Sequence, residues 1–159
     1  MDRKSAVRPS PGMWFEDFAP GRWYFSPTRT ISESDVLTFG GITGDLYELH
    51  TSEAYAKTTI FGTRIAHGML GLSVMHGLQT RTSHTLGTGI ALIGWDRVRH
   101  MAPIFLGDTV QTFWRTTETR ESRSRPDAGI VVEKLELYNQ RDEKVLEGEV
   151  ALLVSKKPR

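Results

Sequence analysis

His67-Gly68-Met69-Leu70-Gly71-Leu72-Ser73-Val74-Met75-His76-Gly77-Leu78 is the longest helical pattern in the chain. Met69, Leu72, Met75 and Leu78 recur at helical spacing on one side and Leu70 and Val74 on another, which predicts a helix buried on most of its circumference. Beyond about Gly87 the period changes. Residues 90–101, 109–120, 130–138 and 145–154 read as strands, separated by Pro103 with Gly107-Asp108, by 122–129 and by 139–143. The last break is short enough for an antiparallel hairpin. Upstream, 22–31 mixes aromatic and β-branched residues as a first strand does, with Pro27 marking an edge or irregular position. Strand, helices, then four strands is an α+β layout. Its economical packing is an antiparallel sheet of about five strands curved around the one long helix, with an outer face that seeks cover, so a dimer is expected.

Length and composition agree with one domain: the chain has 159 residues, 38% of them hydrophobic, with no repeat or low-complexity tract. Residues 1–12, with Pro9, Ser10, Pro11 and Gly12, read as a flexible lead-in, and 13–159 as the domain. The net charge of +1 gives no reason to expect binding to nucleic acid or a membrane surface. There is no transmembrane stretch and no apolar run of a secretory signal, so the expected location is cytoplasmic. The absence of cysteine removes disulfides and thiolate nucleophiles.

A second stretch carries the chemistry: Thr43-Gly44-Asp45-Leu46-Tyr47-Glu48-Leu49-His50, followed by Ala66-His67-Gly68-Met69. On a continuous helix, residues five apart lie ~140° around the axis, so Asp45 and His50 converge only if the segment between them folds back. The flanks favour this. Ser32 and Asp35 form a capping box for a helix that Gly44 ends, and Thr51 or Ser52 caps a second short helix carrying Ala54, Tyr55 and Lys57. An acid and a base would then hang from an exit loop pinned by a helix at each end. Taken singly, an Asp after a helix-ending Gly is commonly a turn residue, and Gly68 is equally a tight packing site. His67 reads as a helix cap or a buried, hydrogen-bonded residue.

Together, 43–50 and Phe61-Gly62-Thr63-Arg64-Ile65-Ala66-His67-Gly68-Met69-Leu70 resemble the signature of MaoC-like (R)-specific enoyl-CoA hydratases. Phe105-Leu106-Gly107-Asp108-Thr109 is similar to a later turn of that family, so the resemblance covers most of the chain after Trp14. It implies a hot-dog fold, a homodimer or higher oligomer of dimers, and an acyl-CoA thioester substrate in fatty acid metabolism. It makes Asp45 and His50 the catalytic pair and the backbone N–H of Gly68 the donor to the thioester oxygen. The chemistry is self-consistent: hydrating a conjugated double bond needs a base for water, an acid for the carbon beside the carbonyl, and a fixed donor for the developing oxyanion. A helix N-terminus supplies that donor with no cofactor and no metal.

Two positions depart from the family pattern. Tyr47-Glu48 stands where Asn-Pro is common, and His76 stands where some members carry Ser, eight residues after the Gly. Tyr47, His67 and His76 are therefore candidate substrate-pocket residues. His67, His76, His84 and His100 have no metal-ligand spacing, and neither Gly87-Thr88-Gly89 nor Gly40-Gly41 makes a nucleotide loop. Two further functions share the same scaffold: an acyl-CoA thioesterase, and a non-catalytic acyl-CoA-binding subunit.

Overall fold

In the computed structural model, which describes residues 3–158, Ser32 Oγ accepts the Asp35 N–H at 3.2 Å and Asp35 Oδ2 accepts the Ser32 N–H at 2.8 Å. This reciprocal pair starts helix α1 (Glu33–Thr43). Gly44, at φ +80°, stops it, and its N–H bonds to the Gly40 carbonyl at 2.8 Å. That left-handed conformation favours glycine. Two single-turn helices follow, α2 (Glu48–Thr51) and α3 (Glu53–Ala56), and Ser52 Oγ caps the second by accepting the Tyr55 N–H at 3.3 Å. The expected exit loop is thus shorter than the sequence suggests: 44–47 are irregular, but His50 sits inside α2. The long helix α4 runs Gly68–Thr80.

Five strands, β1 (Trp23–Thr30), β2 (Gly89–His100), β3 (Thr109–Glu121), β4 (Ala128–Asn139) and β5 (Lys144–Ser155), form one antiparallel sheet in the order β1-β3-β4-β5-β2. Alternation in β3 turns Val110, Thr112, Trp114 and Thr116 toward α4, and register places Trp114 opposite Leu135 and Leu137 opposite Leu146. Met75 and Leu78 of α4 complete this core, with Met75 and Trp114 fully buried. Burying each such side chain is worth about 1.5–3 kcal/mol. Thr112 Oγ1 also donates to the Met75 carbonyl at 2.9 Å, fastening helix to sheet. Pro27 lies where β1 slips register between Phe25 and Thr28, at the sheet edge, where a residue without an N–H is tolerated.

One polar layer interrupts the core. Gln79 Nε2 donates to Glu133 Oε2 at 2.7 Å, His84 Nε2 lies 3.4 Å from the same oxygen, and Thr116 stands opposite Glu133 in the sheet. All four residues are essentially fully buried.

Of the stretch expected as a lead-in, Met1 and Asp2 lie outside the described residues, as does Arg159 at the far end of the expected domain. Val7 bridges the β1 edge: its N–H bonds to the Trp23 carbonyl at 3.1 Å, and the Phe25 N–H to the Val7 carbonyl at 3.2 Å, while the Gly12 N–H bonds to the Ser83 carbonyl at 2.9 Å. At the opposite edge, β2 leaves Leu92 and Ile93 about half exposed. Among the described residues no helix is long and apolar enough to cross a membrane.

Candidate active site

The turn after Gly44 sends Asp45 to the surface beside two buried histidines. Asp45 is tied weakly to its own segment: its N–H reaches Thr43 Oγ1 at 3.3 Å, and its Oδ1 accepts the Tyr47 N–H at 3.5 Å. His50 is fixed by its Nδ1, 2.7 Å from the Ile65 carbonyl. His67, the residue before α4, lies face to face with it, ring centroids 3.9 Å apart and planes tilted by 34°. One donor atom from each of Asp45, His50 and His67 falls within 4.8 Å of the other two. Among the described residues this is the group whose spacing would admit a metal ion, and of the histidines weighed for a metal in the sequence it includes only His67.

The carbonyl that holds His50 belongs to a strap with its own anchors. Arg64 donates from Nε to Glu53 Oε2 at 3.2 Å and from Nη1 to Glu33 Oε1 at 2.7 Å, joining α3 and the start of α1 to the strap. The Ala66 N–H bonds to the Ile104 carbonyl at 2.8 Å, and Ile65 bridges Phe105. Phe105 is held in turn by Asp108, whose Oδ2 accepts its N–H at 2.9 Å. Burial alone would raise the Asp108 carboxyl. Hydrogen bonds from Gln140, the Phe105 N–H and Arg141 outweigh it, so its pKa lies below the ordinary carboxylate value. The Gly107-Asp108 turn thus supports the site from behind.

A cavity of about 330 Å³ opens beside Gly68, with His50, His67 and His100 among mostly apolar walls such as Phe61, Ile104 and Val145. His100, from the end of β2, lies directly on Gly68: a Cβ there would sit 2.9 Å from its Cε1. The local pattern of β2 does not reveal this contact, because it joins residues far apart in the chain. Tyr47 stands edge-on to His50 at 6.2 Å, its hydroxyl 2.7 Å from that of Tyr55. His76 is not brought to this cavity. Eight residues carry it about 12 Å along the α4 axis. There it meets Trp95 edge-on at 5.6 Å and lines a separate cavity of about 200 Å³ with His84 and Leu92. Burial pushes the His76 pKa down, opposed by the Gln79 side chain, whose oxygen favours the protonated, donating ring. His67 does not cap α4 with its side chain; it is the buried, hydrogen-bonded residue of the two alternatives.

An antiparallel five-stranded sheet packed on one long helix, with an acid and two imidazoles at that helix's N-terminus, defines a hot-dog domain. The chain belongs to the MaoC-like domain family, whose model matches residues 17–136. It is 34% identical to the 3-hydroxybutyryl-CoA dehydratase of Methylorubrum extorquens over 146 residues, 91% of this chain and 86% of that enzyme. It is 41% identical to the (R)-specific enoyl-CoA hydratase of Rhodospirillum rubrum over 98 residues, 61% of this chain. That match spans 65% of the Rhodospirillum enzyme, just under two thirds of its length. Among solved structures, an Archaeoglobus protein described as a monoamine oxidase regulatory protein superposes with a TM-score of 0.86 at 34% identity, covering 96% of this chain and all of that one.

Proposed function

We propose that this protein reversibly adds water to a trans-2-enoyl-CoA, or a related acyl thioester, to give an (R)-3-hydroxyacyl thioester. The observation that carries the reading is the meeting of the Asp45 carboxylate and a His50 ring nitrogen within 4.8 Å, beside the N-terminus of α4 and a largely apolar cavity. Of this pair, one group takes a proton from water as its oxygen bonds to C3, and the other delivers a proton to C2. The negative charge that develops on the thioester oxygen is met by the Gly68 N–H, reinforced by the α4 dipole. Gly68 has no side chain to hold the acyl group away from that N–H. Coenzyme A enters as part of the substrate, and no separate cofactor takes part.

The names of the Rhodospirillum and Methylorubrum relatives support hydration and dehydration over other reactions of acyl thioesters. The free edge of β2, with Leu92 and Ile93 half exposed, suits pairing with a second copy, so the working form is a homodimer or a larger assembly of dimers acting in the cytoplasm. The test is purified protein with a panel of enoyl-CoA esters, following loss of the conjugated chromophore and release of free thiol together. Chromophore loss without thiol is the expected result. Thiol release alone identifies a thioesterase, and neither signal, with thermal stabilisation by acyl-CoA, identifies a binding subunit.

A further inference from the structure

One residue is joined to every part of this machinery. The His67 Nε2 donates to the main-chain oxygen of Asp45 at 2.8 Å, its ring backs His50, and the chain passes from it directly into Gly68. His67 is 2% exposed, with Phe39 closing behind it at 5.1 Å between ring centroids. A ring nitrogen facing a carbonyl carries a proton, so in the neutral ring Nδ1 keeps its lone pair, and Nδ1 has no hydrogen-bond partner among the described residues. Asp45 needs this support. It is exposed in a short irregular segment, and its other two hydrogen bonds are long, at 3.3 and 3.5 Å. Gly40 makes room for the arrangement, since a Cβ there would lie 3.0 Å from the same Asp45 oxygen.

We propose that His67 is the positioning residue of the site: its Nε2–H holds Asp45 against the N-terminus of α4 while its ring fixes the face of His50. Acid, base and oxyanion donor are thereby kept in one arrangement. This rests on the reading of Asp45 and His50 as the acid–base pair. Helix capping does not account for the residue, because its side chain makes no capping bond.

Three substitutions separate its two nitrogens. His67→Phe keeps a flat ring without a donor, His67→Gln places an amide donor near the Nε2 position, and His67→Asn places one near Nδ1 only. With the enoyl-CoA ester that turns over best, His67→Phe is expected to lose about 100-fold in kcat with KM within about threefold, the loss typical of a misplaced catalytic group. Its melting temperature should stay close to that of the unsubstituted protein. His67→Gln should recover to within about tenfold of it, while His67→Asn stays near Phe. A Phe variant of normal kcat overturns the proposal, and so does an Asn variant as active as Gln. Should the Phe variant not fold, the Gln and Asn pair decides alone. Asp45→Asn, assayed beside them, keeps the two ideas apart. If it is inactive while His67→Phe is active, only the positioning role fails; if it is fully active, the acid–base reading fails and this inference with it.

Discussion

His50 Nδ1 lies 2.7 Å from the main-chain oxygen of Ile65, so a neutral ring keeps its proton there and presents a lone pair at Nε2. His67 is tied in the same way through its Nε2 to Asp45. Two imidazoles, each with one nitrogen bound to a carbonyl, are also good ligands for a transition metal. Added Zn²⁺ is therefore expected to compete with the hydration chemistry, while a chelator leaves turnover unchanged. In His67→Gln, inhibition by Zn²⁺ should weaken about tenfold or more, because one nitrogen ligand is gone. Activity lost to the chelator and restored by a divalent metal would show that the ion is required.

Gly68→Ala tests the crowding at the helix N-terminus. The new methyl group would meet the His100 ring at 2.9 Å, and that ring, at the exposed end of β2, has freedom to turn away. Stability should change by no more than about 1 kcal/mol, whereas kcat/KM for enoyl-CoA should fall by about tenfold or more as methyl and displaced imidazole enter the cavity. Adding His100→Ala should restore part of that loss. Urea denaturation and steady-state kinetics on the single and double variants read both effects.

Glu133→Ala strikes the polar layer under α4. Gln79 and His84 would both lose their shared buried acceptor, and breaking such a group by removing one member costs about 3–5 kcal/mol. Glu133→Gln, which keeps an acceptor oxygen, should cost less. Denaturation midpoints at constant m-value give the comparison.

His76 ties stability to pH. Burial lowers its folded pKa from 6.5, so on acidification the unfolded chain takes up the proton first. Its contribution is complete above pH 6.5 and is lost as the pH falls through the lower folded value. Replacing it with Gln should flatten the melting temperature across that window. Asp108, lowered from 3.8, acts at more acid pH with the same sign: its contribution is present above 3.8 and is lost below it, and Asp108→Asn should remove that part of the acid slope.

Much of this molecule is legible in short-range pattern. The Ser32 capping box, the stop at Gly44 and the alternation in β3 to β5 are decided by neighbours in sequence, and their elements fall where the pattern places them. The four-residue turn of α2 is too short to show a period, so His50 reads as part of a loop. The β1-β3-β4-β5-β2 order, the meeting of His100 with Gly68 and the Arg64 bridge to Glu33 join distant positions and leave no local trace. His76 shows the converse. Its distance in sequence from Gly68 suggests a shared site, but the rise of α4 carries it to another cavity.

The most direct measurement is the turnover of Asp45→Asn and His50→Ala on the enoyl-CoA ester that the unsubstituted protein hydrates fastest, with melting temperatures recorded in parallel. Shared acid–base work at these two residues requires each variant to fall by about 10²- to 10⁴-fold in kcat while staying folded. A folded variant of either residue that retains normal turnover would contradict it.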